Sequence, residues 1–132
     1  MAVKIQDLFK ADYPSELQSA LDDLSEVIEE AAEKGYKIPS ATALSETTRL
    51  LETMYEIAPQ RFEVYPMPEG AVTVDATNER GHYLMVLVTN DGPVRCLTNF
   101  ACGRSRMNFS SADDIPQEFL RESMLKIDVS NG

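Results

Sequence analysis

The sequence predicts an α+β fold: an N-terminal helical hairpin packed on a four- to five-stranded antiparallel meander, closed by a short C-terminal helix. Three observations carry that expectation. Apolar residues recur every three to four positions as far as Ala58, the period of a helix with one buried face. From Arg61 the period becomes two, the period of a strand. A last helical stripe then follows Pro116.

The first long helix is expected over Pro14–Lys34. Leu17, Leu21, Leu24, Ile28 and Ala31 form its buried stripe, and Gly35 suits the position just past its end. Its outer face is Asp22, Asp23, Glu26, Glu29, Glu30 and Glu33. Asp22–Glu26 and Glu26–Glu30 are like-charge pairs four residues apart, each unfavourable by a few tenths of a kcal/mol, and Glu30–Lys34 offsets one of them. Ser40 opens the second helix and Pro59 stops it, with Leu44, Leu51, Met54, Tyr55 and Ala58 as its apolar stripe. The short connection between the helices makes them antiparallel neighbours.

The strands follow. Phe62 and Val64 alternate with Glu63 and Tyr65 until Pro66, which suits an edge strand. Val72–Thr77 alternates again, and a four-residue turn is expected over Asn78–Gly81. His82–Thr89 is a nearly continuous apolar run, the mark of a central strand. Asp91-Gly92 predicts a two-residue hairpin turn. Val94–Phe100 then returns, Ala101–Arg106 is expected as a loop, and Met107–Ser110 as a short fifth strand. Phe119, Leu120, Met124 and Ile127 make the buried stripe of the closing helix.

Register sorts the side chains. A two-residue turn at Asp91-Gly92 sets Thr89 against Val94 and Leu87 against Cys96, placing Tyr83, Met85 and Leu87 in the core. The expected outer face is then Tyr65, Asp75, Leu84, Val86, Val88, Arg95 and Leu97, an aliphatic strip in a polar frame that includes Glu63, Thr73 and Asn99. Such a strip needs a cover: the closing helix, the arm around Phe9, a second copy of the chain or another protein.

The 132 residues suit one domain spanning 1–132, with residues 1–12 expected as an arm and 128–132 as a frayed tail. Hydrophobic residues are 43% and charged residues 26% of the chain, which argues against disorder. No apolar run approaches the roughly 18 residues of a membrane span. Met1–Asp7 has no basic stretch leading into an apolar one, so neither a secretory signal nor a membrane partner is expected, and a cytoplasmic location is. The net charge of −10 repels nucleic acid, so no direct nucleic-acid binding is expected. Residues 1–60 hold 12 acids and 5 bases, whereas six of the seven arginines lie beyond them.

Candidate chemistry is sparse. His82 is the one histidine, so any serine or cysteine triad would have to use it. Cys96 points to the core, while Cys102 lies in the expected loop with Arg104 and Arg106 close in sequence, the setting a reactive thiol needs. Five residues separate the cysteines, which fits neither a CxxC redox pair nor a zinc knuckle. Arg104 and Arg106, beside Gly103, form the most concentrated cationic site and suit a phosphate or carboxylate. The acidic helix face lacks the converging loop oxygens that hard cations require. No phosphate-binding loop, dinucleotide fingerprint, HExxH or GxSxG motif is present. Catalytic residues, a metal and a cofactor are therefore not expected.

From Leu50 to Ile127 the chain resembles a set of short bacterial and prophage α+β accessory proteins. The matching residues are Pro66-Met67-Pro68-Glu69-Gly70, Val72–Asp75, Gly103-Arg104-Ser105-Arg106 and Ile115-Pro116 leading to Leu125. The resemblance implies a partner-binding role and supplies no catalytic residue. The function expected is thus a non-enzymatic interaction module that binds a protein partner or itself. The alternative is a small anionic-ligand domain, or an unusual enzyme, built on the arginine loop.

Overall fold

A computed structural model describes residues 15–60, 62–91 and 93–131. The expected arm over residues 1–12, and the side chains of the tail from 128 on, lie outside the described residues. The elements are α1 (Ser15–Ser25), α2 (Val27–Glu33), α3 (Ala41–Ile57), β1 (Glu63–Pro66), β2 (Val72–Thr77), β3 (Tyr83–Val88), β4 (Val94–Phe100), β5 (Gly103–Phe109), a 3-10 turn (Ala112–Asp114) and α4 (Gln117–Asn131). The five strands form one antiparallel sheet in chain order. The expected α+β architecture is the observed one.

The first helix is broken where a single helix was expected. Glu26 N–H donates to the Asp23 carbonyl at 3.1 Å, a tighter step than an α-turn. The Ser25 hydroxyl donates to the Asp22 carbonyl at 2.7 Å, the kind of serine back-bond that bends helices. The bend carries the buried stripe through Leu17, Ala20, Leu24, Val27 and Ala31, and leaves Ile28 exposed. Gly35 at φ +72 ends α2, with Tyr36 N–H on the Ala31 carbonyl and Gly35 N–H on that of Ala32. That pair of bonds closes the helix end, and the left-handed φ favours glycine there.

The start of α3 is capped as the sequence implies: the Ser40 hydroxyl accepts the Ala43 N–H at 3.1 Å. Asn90, in the β3–β4 loop, reaches the same point. Its side chain accepts the Ser40 N–H, and its carbonyl accepts the Ser40 hydroxyl. The helix start is thereby tied to the sheet.

α1, α3 and α4 cover one face of the sheet. The shared core includes Leu51, Met54, Phe62, Val72, Val74, Leu84, Val86, Val88, Leu120, Met124 and Ile127, all fully buried. α4 lies beside α3 on this inner face, packed on β2, β3 and β4. The closing helix therefore does not cover the outer face.

Candidate functional site: the outer face of the sheet

β3 corrects the expected register. Val88 pairs with Val94, Leu87 with Arg95 and Met85 with Leu97, one residue away from the two-residue hairpin. The cause is chemical. In a two-residue turn at Asp91-Gly92, residue 93 would donate its N–H to the Asn90 carbonyl, and Pro93 has no N–H. The chain instead closes one residue further out, with Thr89 N–H on the Pro93 carbonyl at 3.1 Å. Asp91 also lacks the positive φ that a type I′ turn demands.

The β2–β3 connection is likewise one residue longer than expected, because Thr77 pairs with Tyr83. Asn78 holds it. Its side-chain oxygen accepts Arg80 N–H at 2.9 Å and His82 N–H at 3.1 Å, and its amide donates to the Ile127 carbonyl at 3.2 Å. With both turns lengthened, β3 alone slips and its faces exchange. Leu84, Val86 and Val88, expected on the outer face, are fully buried in the core. Tyr83, Met85 and Leu87, expected in the core, are half-buried on the outer face.

The remaining outer-face expectations stand in register. Three cross-strand rows describe the face. The first runs Tyr65, Thr73, Leu87, Arg95, Asn108; the second Glu63, Asp75, Met85, Leu97, Arg106; the third Thr77, Tyr83, Asn99, Arg104. Thr73 is buried, and its hydroxyl has no hydrogen-bond partner among the described residues. All three rows are apolar or aromatic on β3 and carry an arginine on β4 or β5, and the second also carries acids, Glu63 and Asp75, at the β1–β2 side. Tyr65 reports the acidic side. Its hydroxyl is held above the usual tyrosine range, first by burial and then by the negative charges of Asp75 and Glu63.

Arg104 and Arg106 lie on a strand, a second correction. β5 begins at Gly103, where φ is +131. The stretch expected as a loop is an edge strand joined to β4 by the tight turn Ala101-Cys102. Its exposure explains why it lacks apolar alternation: Gly103 to Asn108 are all exposed. Both guanidinium groups border a shallow depression of about 350 Å³ with Tyr83, Leu97, Thr98 and Ser105. The Thr98 and Ser105 hydroxyls bond to each other. Arg95 donates to the Asn108 side chain at 3.3 Å. A carboxylate could be held here, although no enclosed pocket surrounds it.

The other candidates are dispersed. Cys96 is 1% exposed and burial pushes its thiol up to about 12, which makes it a packing residue. Cys102 is exposed at its turn, beside a cleft of about 320 Å³ between the β4–β5 hairpin and α4 that Lys126 and Phe119 also line. His82 meets Phe100 edge to face at 6.4 Å. On the bent α1–α2 segment, Asp22, Glu26, Glu29 and Glu33 are exposed, while Asp23 and Glu30 are half-buried. Asp22 accepts the Gln18 amide at 2.9 Å, and Glu30 pairs with Lys34 at 3.5 Å. Among the described residues no three histidines, cysteines or acids gather as a metal site. None of the described helices is long and apolar enough to cross a membrane.

Comparison with known proteins finds no matching family model, no matching curated relative and no matching solved structure.

Proposed function

We propose that this protein is a non-enzymatic interaction module, and that its contact surface is the outer face of the sheet. One observation carries the reading. Among the described residues helices cover one face of a five-stranded sheet and no element packs on the other, which presents half-buried Tyr83, Met85, Leu87 and Leu97 between charged borders. Apolar centres with polar rims are the anatomy of protein interfaces. A soluble monomer gains nothing from keeping such a strip wet. The resemblance to short bacterial and prophage accessory proteins points the same way, toward a cytoplasmic partner-binding role.

The test is site-specific photo-crosslinking in cells. A benzophenone amino acid replaces Leu97 in one variant and Glu29, on the acidic helix face, in another. Discrete adducts from position 97, with none from position 29, are expected. Adducts from position 29 alone would move the contact surface to the acidic helices. The depression beside Arg104 and Arg106 supports a second reading, binding of a small phosphate or carboxylate ligand. Thermal unfolding with millimolar inorganic phosphate and citrate checks it, because a ligand of the folded state raises the midpoint.

A further inference from the structure

We infer that the occupant of the outer face is a second copy of this chain, packed sheet to sheet about a two-fold axis parallel to the strands. The inference rests on the interaction-face reading and names its partner.

The argument is one of symmetry and charge. A two-fold axis along the strand direction, lying between two facing sheets, carries β1 of one copy over β5 of the other and β3 over β3. The second row, Glu63, Asp75, Met85, Leu97, Arg106, then meets its own reverse. Glu63 faces Arg106, Met85 faces Met85, and Asp75 faces Leu97, whose neighbours in register and along β4 are Arg106 and Arg95. The first row sets Leu87 on Leu87, and the third sets Tyr83 on Tyr83. An isologous interface needs this kind of self-complementarity. The natural twist of each sheet turns the two strand directions about 30° apart without disturbing the central contacts.

Other self-pairings fail on charge. An axis across the strands lays Glu63 on Glu63 and Arg106 on Arg106. Pairing of two β5 edges brings Arg104 and Arg106 of both copies together, and like charges opposed across strands are destabilising. The face is also the near-neutral part of an acidic molecule. Two acids, Glu63 and Asp75, stand there against three arginines, Arg95, Arg104 and Arg106, while the chain as a whole carries −10. The acidic α1–α2 segment belongs to the helical layer, on the far side of the sheet. Five strands about 4.8 Å apart and about 20 Å long give a contact of roughly 500 Å² per copy. That is smaller than the roughly 800 Å² per partner of a standard interface, so the dimer is weak and concentration-dependent.

Sedimentation equilibrium of the full chain, with charge-exchanged variants, tests the inference. Arg104→Glu with Arg106→Glu makes both edges acidic; Glu63→Arg with Asp75→Arg makes both edges basic. Each variant alone should dimerise at least about tenfold more weakly than the parent. An equimolar mixture should recover a two-chain species that native mass spectrometry finds to contain one chain of each kind. If a double variant loses its folded circular dichroism, the single exchanges Arg106→Glu and Glu63→Arg should give the same pattern at smaller amplitude. A parent chain that stays monomeric up to about 1 mM, or variants that dimerise as well alone as mixed, would overturn the dimer. A monomer in the centrifuge whose position 97 crosslinks to a different protein sinks the dimer and leaves the interaction face standing. No adduct from position 97 sinks both.

Discussion

The two faces of this sheet share every backbone hydrogen bond and almost nothing else. The inner face carries Val64, Val74, Val86 and Cys96 along one row, and Val72, Val88 and Val94 along the next. These two rows are uniformly small and apolar, and all of their residues are buried. The outer face runs from Glu63 through Met85 to Arg106. Uniformity suits burial, because hydrophobic attraction has no direction. A charge gradient supplies direction, which selects one orientation of a partner over its reverse. The inner face therefore accounts for folding, and the outer face is where selectivity can reside.

Adjacent residues of β3 break the comparison most sharply. Val86→Asp puts a carboxylate into a site with no exposure and should cost about 4 kcal/mol or more, a large part of the roughly 5–15 kcal/mol that holds an ordinary domain folded. Met85→Asp, one residue away on the half-buried outer side, should cost about 1 kcal/mol or less. Urea denaturation of the two variants separates them. Equal costs would mean that β3 does not hold the register in which Val86 opposes Val74 and Cys96.

A smaller effect sharpens the same point, because the turns decide which side of β3 faces in. Asn78→Ala removes the acceptor for Arg80 and His82 N–H and the donor to the Ile127 carbonyl. At 7% exposure water cannot fully replace these bonds, so the loss should be about 2 kcal/mol. Thermal unfolding measures it. A change within about 0.5 kcal/mol would show that the sheet holds its register without this turn.

These residues also mark what could be read in advance. Helix starts and stops at Ser40 and Gly35, the antiparallel order and the faces of β2 and β4 follow from local chemistry, and all were legible. β3 was not, since an apolar run carries no alternation to say which side faces in. Its register then depended on two turns. One of them held a visible signal, the missing N–H of Pro93. The other is held by Asn78, which accepts two N–H groups within the turn and also donates to the Ile127 carbonyl, a contact 49 residues away that no local pattern encodes. Of the expected outer-face set, Tyr65, Asp75, Arg95 and Leu97 keep their side, because they lie on strands that did not slip. Residues 103–106 of β5 look like a loop in pattern because an edge strand exposed on both sides has no reason to alternate, whereas the end of β5, residues 107–109, falls within the expected fifth strand.

Cys96 sharpens the comparison at the smallest scale, through pH. Its thiol sits in the inner face between Val86 and Met107 in register, and burial raises its pKa from 9.0 to about 12. The folded state therefore favours the neutral thiol. The stability this group contributes is complete below about pH 9 and is lost as pH rises toward 12, at up to about 1.4 kcal/mol per pH unit. Cys96→Val keeps an apolar side chain of similar size and should change stability at pH 7 by only about 1 kcal/mol. Between pH 9 and 11 the parent should then lose stability relative to the variant. The rise of Tyr65 on the outer face is common to both proteins and cancels in the difference. Urea midpoints that fall in parallel for parent and variant would place Cys96 in contact with water and remove the contrast between a buried inner face and a partly exposed outer one.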